Sequence, residues 1–136
     1  MRVDFPYAKE KSRLLGTTYR PVARVVLNRR YPNYMYVDSG ADISLLPRSV
    51  GDLIGLSKVP SEKPELISGV GGTPVKVLMR KVSMILGTVS FQARVAWSLS
   101  EHVPMLLGRL DVFDRFRIVF REKERIVSFM AEDSTM

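Results

Sequence analysis

The 136-residue sequence predicts an all-β barrel or sandwich carrying one or two short helices. Three observations lead there. The apolar segments are short and rich in Val, Ile, Tyr and Phe. Gly, Pro, Asn and Asp interrupt them every few residues. A helical period surfaces in two brief stretches only. A hydrophobic fraction of 46% is enough for a packed core, and the length fits a single domain, 1–136, with its core over about 20–130.

In chain order, PVARVVLN (21–28) is a Val-rich strand, and NYMYVDSG (33–40) is a second that ends in a Gly turn. PRSVGDLIGL (47–56) changes period. Val50, Leu53 and Ile54 fall at i, i+3 and i+4, Pro47 stands at the start and Gly55 at the stop, which predicts one short helix. ELISGVGGTPVKVLM (65–79) reads as strand, Gly-rich turn and strand, and KVSMILGTVSFQARVAW (81–97) as two strands around Gly87. VPMLLG (103–108) has the composition of a buried strand, with Trp97 and His102 in a loop before it, Trp97 as core and His102 exposed. Leu110, Phe113 and Phe116 are spaced for a helical turn or two. FRIVF (116–120) and RIVSF (125–129) flank REKE as a closing hairpin. The first dozen residues and the last six are expected to fray or to serve in assembly.

Composition removes several chemistries. Without Cys there are no disulfides, no thiolate metal sites and no cysteine nucleophile. His102 is the lone histidine, so a His-rich metal centre is excluded, and a serine triad built on it lacks a nucleophile elbow. Asp38, Gly40 and Asp42 alternate as in a calcium loop, yet residues 43–46 supply no oxygen ligand and no Glu follows where one is needed. GVGG is not followed by Lys-Ser/Thr, so it is not a phosphate loop. No metal or cofactor is expected. Twenty-one Lys/Arg against fourteen Asp/Glu give +7, but the charges are interspersed, as in REKER. They read as a solvated basic surface, with nucleic-acid binding not expected. MRVDFPYAKEKSRLL has no apolar leader core, and no apolar run approaches the ~20 residues of a membrane span. The expectation is a cytoplasmic domain with no membrane partner.

The stretch YVDSGADISLLP (36–47) brings Asp38 to the end of an apolar strand and follows it with Ser39 and Gly40. Desolvation there favours the neutral acid. A hydroxyl and a residue without a side chain permit a tight, rigid turn that fixes the carboxylate's orientation. Taken alone, the segment is served equally well by an Asx turn at a strand end.

Asp-Ser-Gly-Ala-Asp at 38–42 resembles the active-site loop of retropepsin-like (retroviral-type) aspartic proteases. ISGVGGTPVKV (67–77) resembles that family's glycine-rich flap, and VPMLLGR (103–109) with the turn after it resembles its apolar strand, Gly-Arg and helix. The three segments stand in the family's order, over roughly residues 20–130. The resemblance implies a closed acid-protease barrel with one flap hairpin per subunit, and an aspartic endopeptidase.

Catalysis by a carboxyl pair needs one ionised and one protonated group side by side. The chain has one Asp-Ser-Gly; EDSTM (132–136) lacks the Gly. A homodimer would bring Asp38 of each subunit to the twofold axis, where the two share a proton.

By the resemblance, Asp38 is the catalytic residue, and Ser39, Gly40, Ala41, Asp42 and Arg109 support its loop, with Ser39 bracing its twin and Asp42 facing Arg109. Ser68, Gly69, Val70, Gly71 and Gly72 form the flap tip, with Val70 as its apolar contact. Met105 and Leu106 line the substrate pockets and Leu107 packs behind. The expected partners are a second copy and a peptide or protein substrate.

Departures from the family's pattern are Pro74 in the strand leaving the flap, a longer segment between Asp42 and the flap, and longer chain ends. The resemblance implies interleaved termini at the dimer interface; RIVSF is a further candidate for that role. The alternative function is a weak or inactive dimerisation or peptide-binding module on the same fold.

Overall fold

A computed structural model describes residues 1–68 and 73–132. Gly69, Val70, Gly71 and Gly72 of the expected flap tip, and the last four residues of the chain, lie outside the described residues.

The chain runs β1 (Arg2–Pro6), β2 (Ala8–Ser12), β3 (Gly16–Arg20), β4 (Val22–Leu27), β5 (Tyr31–Val37), β6 (Ser44–Leu46), α1 (Arg48–Leu53), β7 (Glu65–Ser68), β8 (Pro74–Leu86), β9 (Val89–Ser98), β10 (Leu106–Leu107), a 3₁₀ turn (Phe113–Arg115), β11 (Arg117–Arg121) and β12 (Ile126–Met130). Alternation fixes which face of each strand turns inward. Met35 and Val37 of β5, Val82, Met84 and Leu86 of β8, and Phe91, Ala93, Val95 and Trp97 of β9 are all buried.

Six strands follow one another in the order β4-β5-β10-β6-β9-β8, and β4 returns to β8 through Val26↔Ile85 and Leu27↔Met84. That pairing closes the barrel around Leu27, Met35, Leu78, Met84, Trp97 and Leu107. Closure leaves β7 as an outlying strand, joined to β8 as a hairpin from Glu65↔Val77 to Ser68↔Pro74. Pro74 opens β8, where a missing N–H interrupts no interior ladder. β8 is one strand of 13 residues rather than two. A smaller apolar cluster of Leu45, Val77 and Ala96 sits where this hairpin meets the barrel.

Helix α1 lies on Trp97. The indole N–H donates to the Arg48 carbonyl at 3.1 Å, and a Cβ at Gly51 would overlap the ring. Trp97 is therefore core as expected, but inside β9 and not in a loop. Gly55 takes φ +94° at the helix end, a conformation that costs glycine little.

The expected fraying of the first dozen residues is corrected. β1 pairs with β12 from Arg2↔Met130 to Pro6↔Ile126, and the terminal ammonium donates to the Ala131 carbonyl at 2.8 Å. β2 and β3 form a hairpin, docked where Arg125 lies 3.6 Å over the Tyr19 ring. β12 is also flanked by β11, from Arg117↔Met130 to Arg121↔Ile126. RIVSF thus lies mostly in a central strand with both edges taken, and its backbone cannot supply a strand edge to a second subunit.

Candidate active site

Asp38 follows the last residue of β5, and the backbone beyond it is laced to the segment after β10. Asp38 N–H donates to the Leu107 carbonyl at 3.1 Å, Arg109 N–H to Ala41 at 2.9 Å and Leu110 N–H to Asp42 at 2.9 Å. Gly40 N–H donates to Asp38 Oδ1 at 2.9 Å, and Ala41 N–H to the Asp38 carbonyl at 3.2 Å. The first of these is the Asx-type contact. It also fixes the carboxylate plane, leaving Oδ2 without a hydrogen-bond partner among the described residues.

Beneath the loop, Gly108 N–H donates to the buried Ser44 hydroxyl at 2.9 Å. A Cβ at residue 108 would strike the Ile43 backbone, so only glycine lets the two segments approach this closely. Ser44 is fully buried, and sequence reasoning passed over it. The signal was a hydroxyl between Ile43 and Leu45 with no turn to serve.

Asp38 opens into a cleft of about 520 Å³, whose walls include Ile43, Leu45, Ile67, Ser68 and Leu106. The apolar part of this wall belongs to the small cluster under the β7–β8 hairpin. Of the sequence-derived site residues, Asp38, Gly40, Ala41, Asp42, Ser68 and Leu106 come together here. Met105 does not line the cleft. It packs against the barrel core, while its carbonyl accepts the Tyr36 N–H at 2.9 Å. Leu106, the first residue of β10, faces the cleft, while Met105 just before the strand turns to the core. Ile43, Leu45 and Ile67 are cleft residues that the sequence reading did not assign.

A second hollow, of about 290 Å³, reaches Asp38 from the side of Arg20, Pro21, Tyr36 and Pro104. The Tyr36 hydroxyl donates to the Glu10 carboxylate, which also lies 3.5 Å from Arg20 Nε. That hydrogen bond, together with burial, pushes the Tyr36 phenol above its ordinary range. The β2–β3 hairpin is thereby fastened to the strand that carries Asp38.

The expected Asp42–Arg109 ion pair is not formed. Both residues are exposed on the rim of a hollow shared with Arg94 and Asp111, and only backbone bonds join their segments. The charge pair at this corner is Arg94–Asp111. Arg94 Nε and Nη2 reach the two carboxylate oxygens at 2.8 and 2.9 Å, and its N–H adds a 2.9 Å bond. This fork holds the Asp111 carboxyl far below the usual range. Ser39 lies outside the cleft, in a separate hollow with Arg109 and Phe120. His102 is exposed, as expected.

Among solved structures, a retropepsin-like aspartic protease from Rickettsia conorii superimposes with a TM-score of 0.63, at 17% identity, over 93% of this chain and 98% of that one. The fold is retropepsin-like. The EIAV protease complexed with the inhibitor HBY-793 matches with a TM-score of 0.54 and 24% identity, over 66% of this chain and 82% of that chain. No protein-family model and no curated protein matches the sequence. The closed barrel and the hairpin beside its cleft thus belong to a retropepsin-like architecture. No helix among the described residues is long and apolar enough to cross a membrane.

Proposed function

We propose that the chain is an aspartic endopeptidase that acts as a homodimer, with Asp38 from each subunit forming the catalytic pair. The observation that carries this is the Asp38 carboxylate itself. It is half-buried at an apolar cleft, oriented by the Gly40 N–H, and has one oxygen unengaged among the described residues. A residue whose only task was to cap a turn would need no cleft above it.

In the mechanism, the ionised member of the pair takes a proton from water as the water oxygen bonds to the scissile carbonyl carbon. The protonated member gives its proton to the carbonyl oxygen. When the resulting diol collapses, the C–N bond breaks and the amine leaves with a proton returned through the pair. Two carboxyls so close favour a shared proton over two charges. The β7–β8 hairpin takes the part of the flap over an extended peptide. Ile43, Leu45, Ile67 and Leu106 favour apolar side chains beside the cleaved bond. A cytoplasmic setting belongs to the same proposal.

The test is cleavage of a mixed pool of unstructured peptides across acidic to neutral pH, with Asp38→Asn alongside. Cuts made by the wild type and lost in a folded variant support the reading. Equal cutting by both, or no cutting by a folded dimer, would defeat it; the second outcome leaves a peptide-binding module.

A further inference from the structure

A shared pair of carboxylates requires the twofold axis to pass beside the 38–40 loop. Ser39 is exposed there and lines a hollow of about 340 Å³ with Arg109, Phe113, Phe116, Ile118 and Phe120. Its floor is rigid: the Phe116 ring stacks edge-on at 5.8 Å against Phe91 and 5.5 Å against Phe129, in the core. Phe120, 40% exposed, makes the rim apolar on the β11 side, opposite the exposed Ser39 and Arg109. Ile118 and Phe120 share a face of β11, while Arg117 and Arg121 project from the other.

The three-stranded sheet has the order β1-β12-β11, so β11 is an edge with one side unpaired among the described residues. β1, the opposite flank, packs against β4. An open edge beside an exposed aromatic is a template for another strand. Pairing one strand with its own copy about a twofold axis is necessarily antiparallel, the geometry that a free edge accepts.

We propose that a second copy of this chain seats on this hollow, β11 against β11, extending the two three-stranded sheets into one of six strands. The same contact brings the partner's 38–40 loop to that of the first subunit and completes the site. This rests on the reading of Asp38 as half of a pair. It departs from interleaved termini, because residues 2–6 are already committed to β12 of their own chain.

The absence of cysteine makes the test clean. Single cysteines placed in turn from Arg117 to Arg121 are oxidised and compared with Leu53→Cys, on the exposed side of α1. Covalent dimers are expected from one or two β11 positions and not from residue 53, since a disulfide needs Cα atoms within about 7 Å. In parallel, sedimentation at micromolar concentration should find the wild type and Asp38→Asn dimeric, and Phe120→Glu monomeric with its melting temperature little changed. A monomeric wild type would overturn the proposal. So would a dimeric Phe120→Glu, or β11 cysteines that link no better than residue 53. A β11 dimer that cuts no peptide supports this interface while defeating the protease reading. Peptide cutting by a chain whose β11 variants stay dimeric does the reverse.

Discussion

Gly108 and Ser44 hold the 38–42 loop from below: the Gly108 N–H donates to the Ser44 hydroxyl at 2.9 Å, with both groups buried. Ser44→Ala leaves a buried donor unpaired, which is expected to cost about 1–3 kcal/mol. Gly108→Ala drives a methyl into the Ile43 backbone and should cost at least as much, since backbone cannot swing aside as a side chain can. Urea unfolding of both variants checks the order. A Gly108→Ala protein as stable as wild type would show that the two segments can part without penalty.

Gly51 offers a second packing test with its own reporter. Alanine there collides with Trp97, the lone tryptophan, and should displace the indole from the Arg48 carbonyl. A loss of about 1–3 kcal/mol is expected, accompanied by a red shift in fluorescence as the ring meets water. Unchanged emission would mean that the helix moves as a body and leaves the indole buried.

Acid should weaken the fold in a defined direction. Asp111 is held down by the Arg94 fork, Glu62 by the Arg80 guanidinium, and Asp4 by the Ser128 hydroxyl and Arg2. Each keeps its charge to lower pH when folded than when unfolded. The stabilisation is therefore whole above the unfolded values, near 4, and drains away as pH falls through the folded ones. The denaturant midpoint should drop between pH 7 and 3, and drop less in Arg94→Gln. Equal midpoints at the two pH values would show that these carboxyls gain nothing on folding.

If each site draws one Asp38 from each copy, an inactive copy spoils its partner. Wild type mixed with an equal amount of Asp38→Asn and allowed to exchange should show about one quarter of the activity of the same total of wild type, because only dimers with two intact copies cut. An activity near one half would mean that each chain works alone.

Much of the barrel was legible because its strands alternate or run apolar: 21–28, 33–40, 65–97 and the 116–129 hairpin all announce themselves. The Asp-Ser-Gly turn was legible for a different reason, since glycine and a short hydroxyl side chain mark a constrained carboxylate. The N-terminal strands were not. Arg2–Pro6 and Ala8–Ser12 carry four charged side chains, Arg2, Asp4, Lys9 and Lys11, on their exposed faces, and their partners stand far off in sequence or past a turn. β6, three residues long, is defined by β9 and β10 on either side and has no pattern of its own. The Asp42–Arg109 brace was carried over from the resemblance and had no signal of its own in the residues: within the chain Arg109 gives its backbone N–H to Ala41, and the ion pair at that corner is Arg94–Asp111.

Pairing β1 with β12 also sets a schedule for the newborn chain. The partner of residues 2–6 begins at Ile126, so at ~5–20 residues per second the first strand waits roughly 6–25 s for its mate to be made. The barrel strands can find one another meanwhile, but Val3 and Phe5 stay open to chaperones until residues 126–130 have been made. Residues 2–6 are thus made long before the strand that secures them.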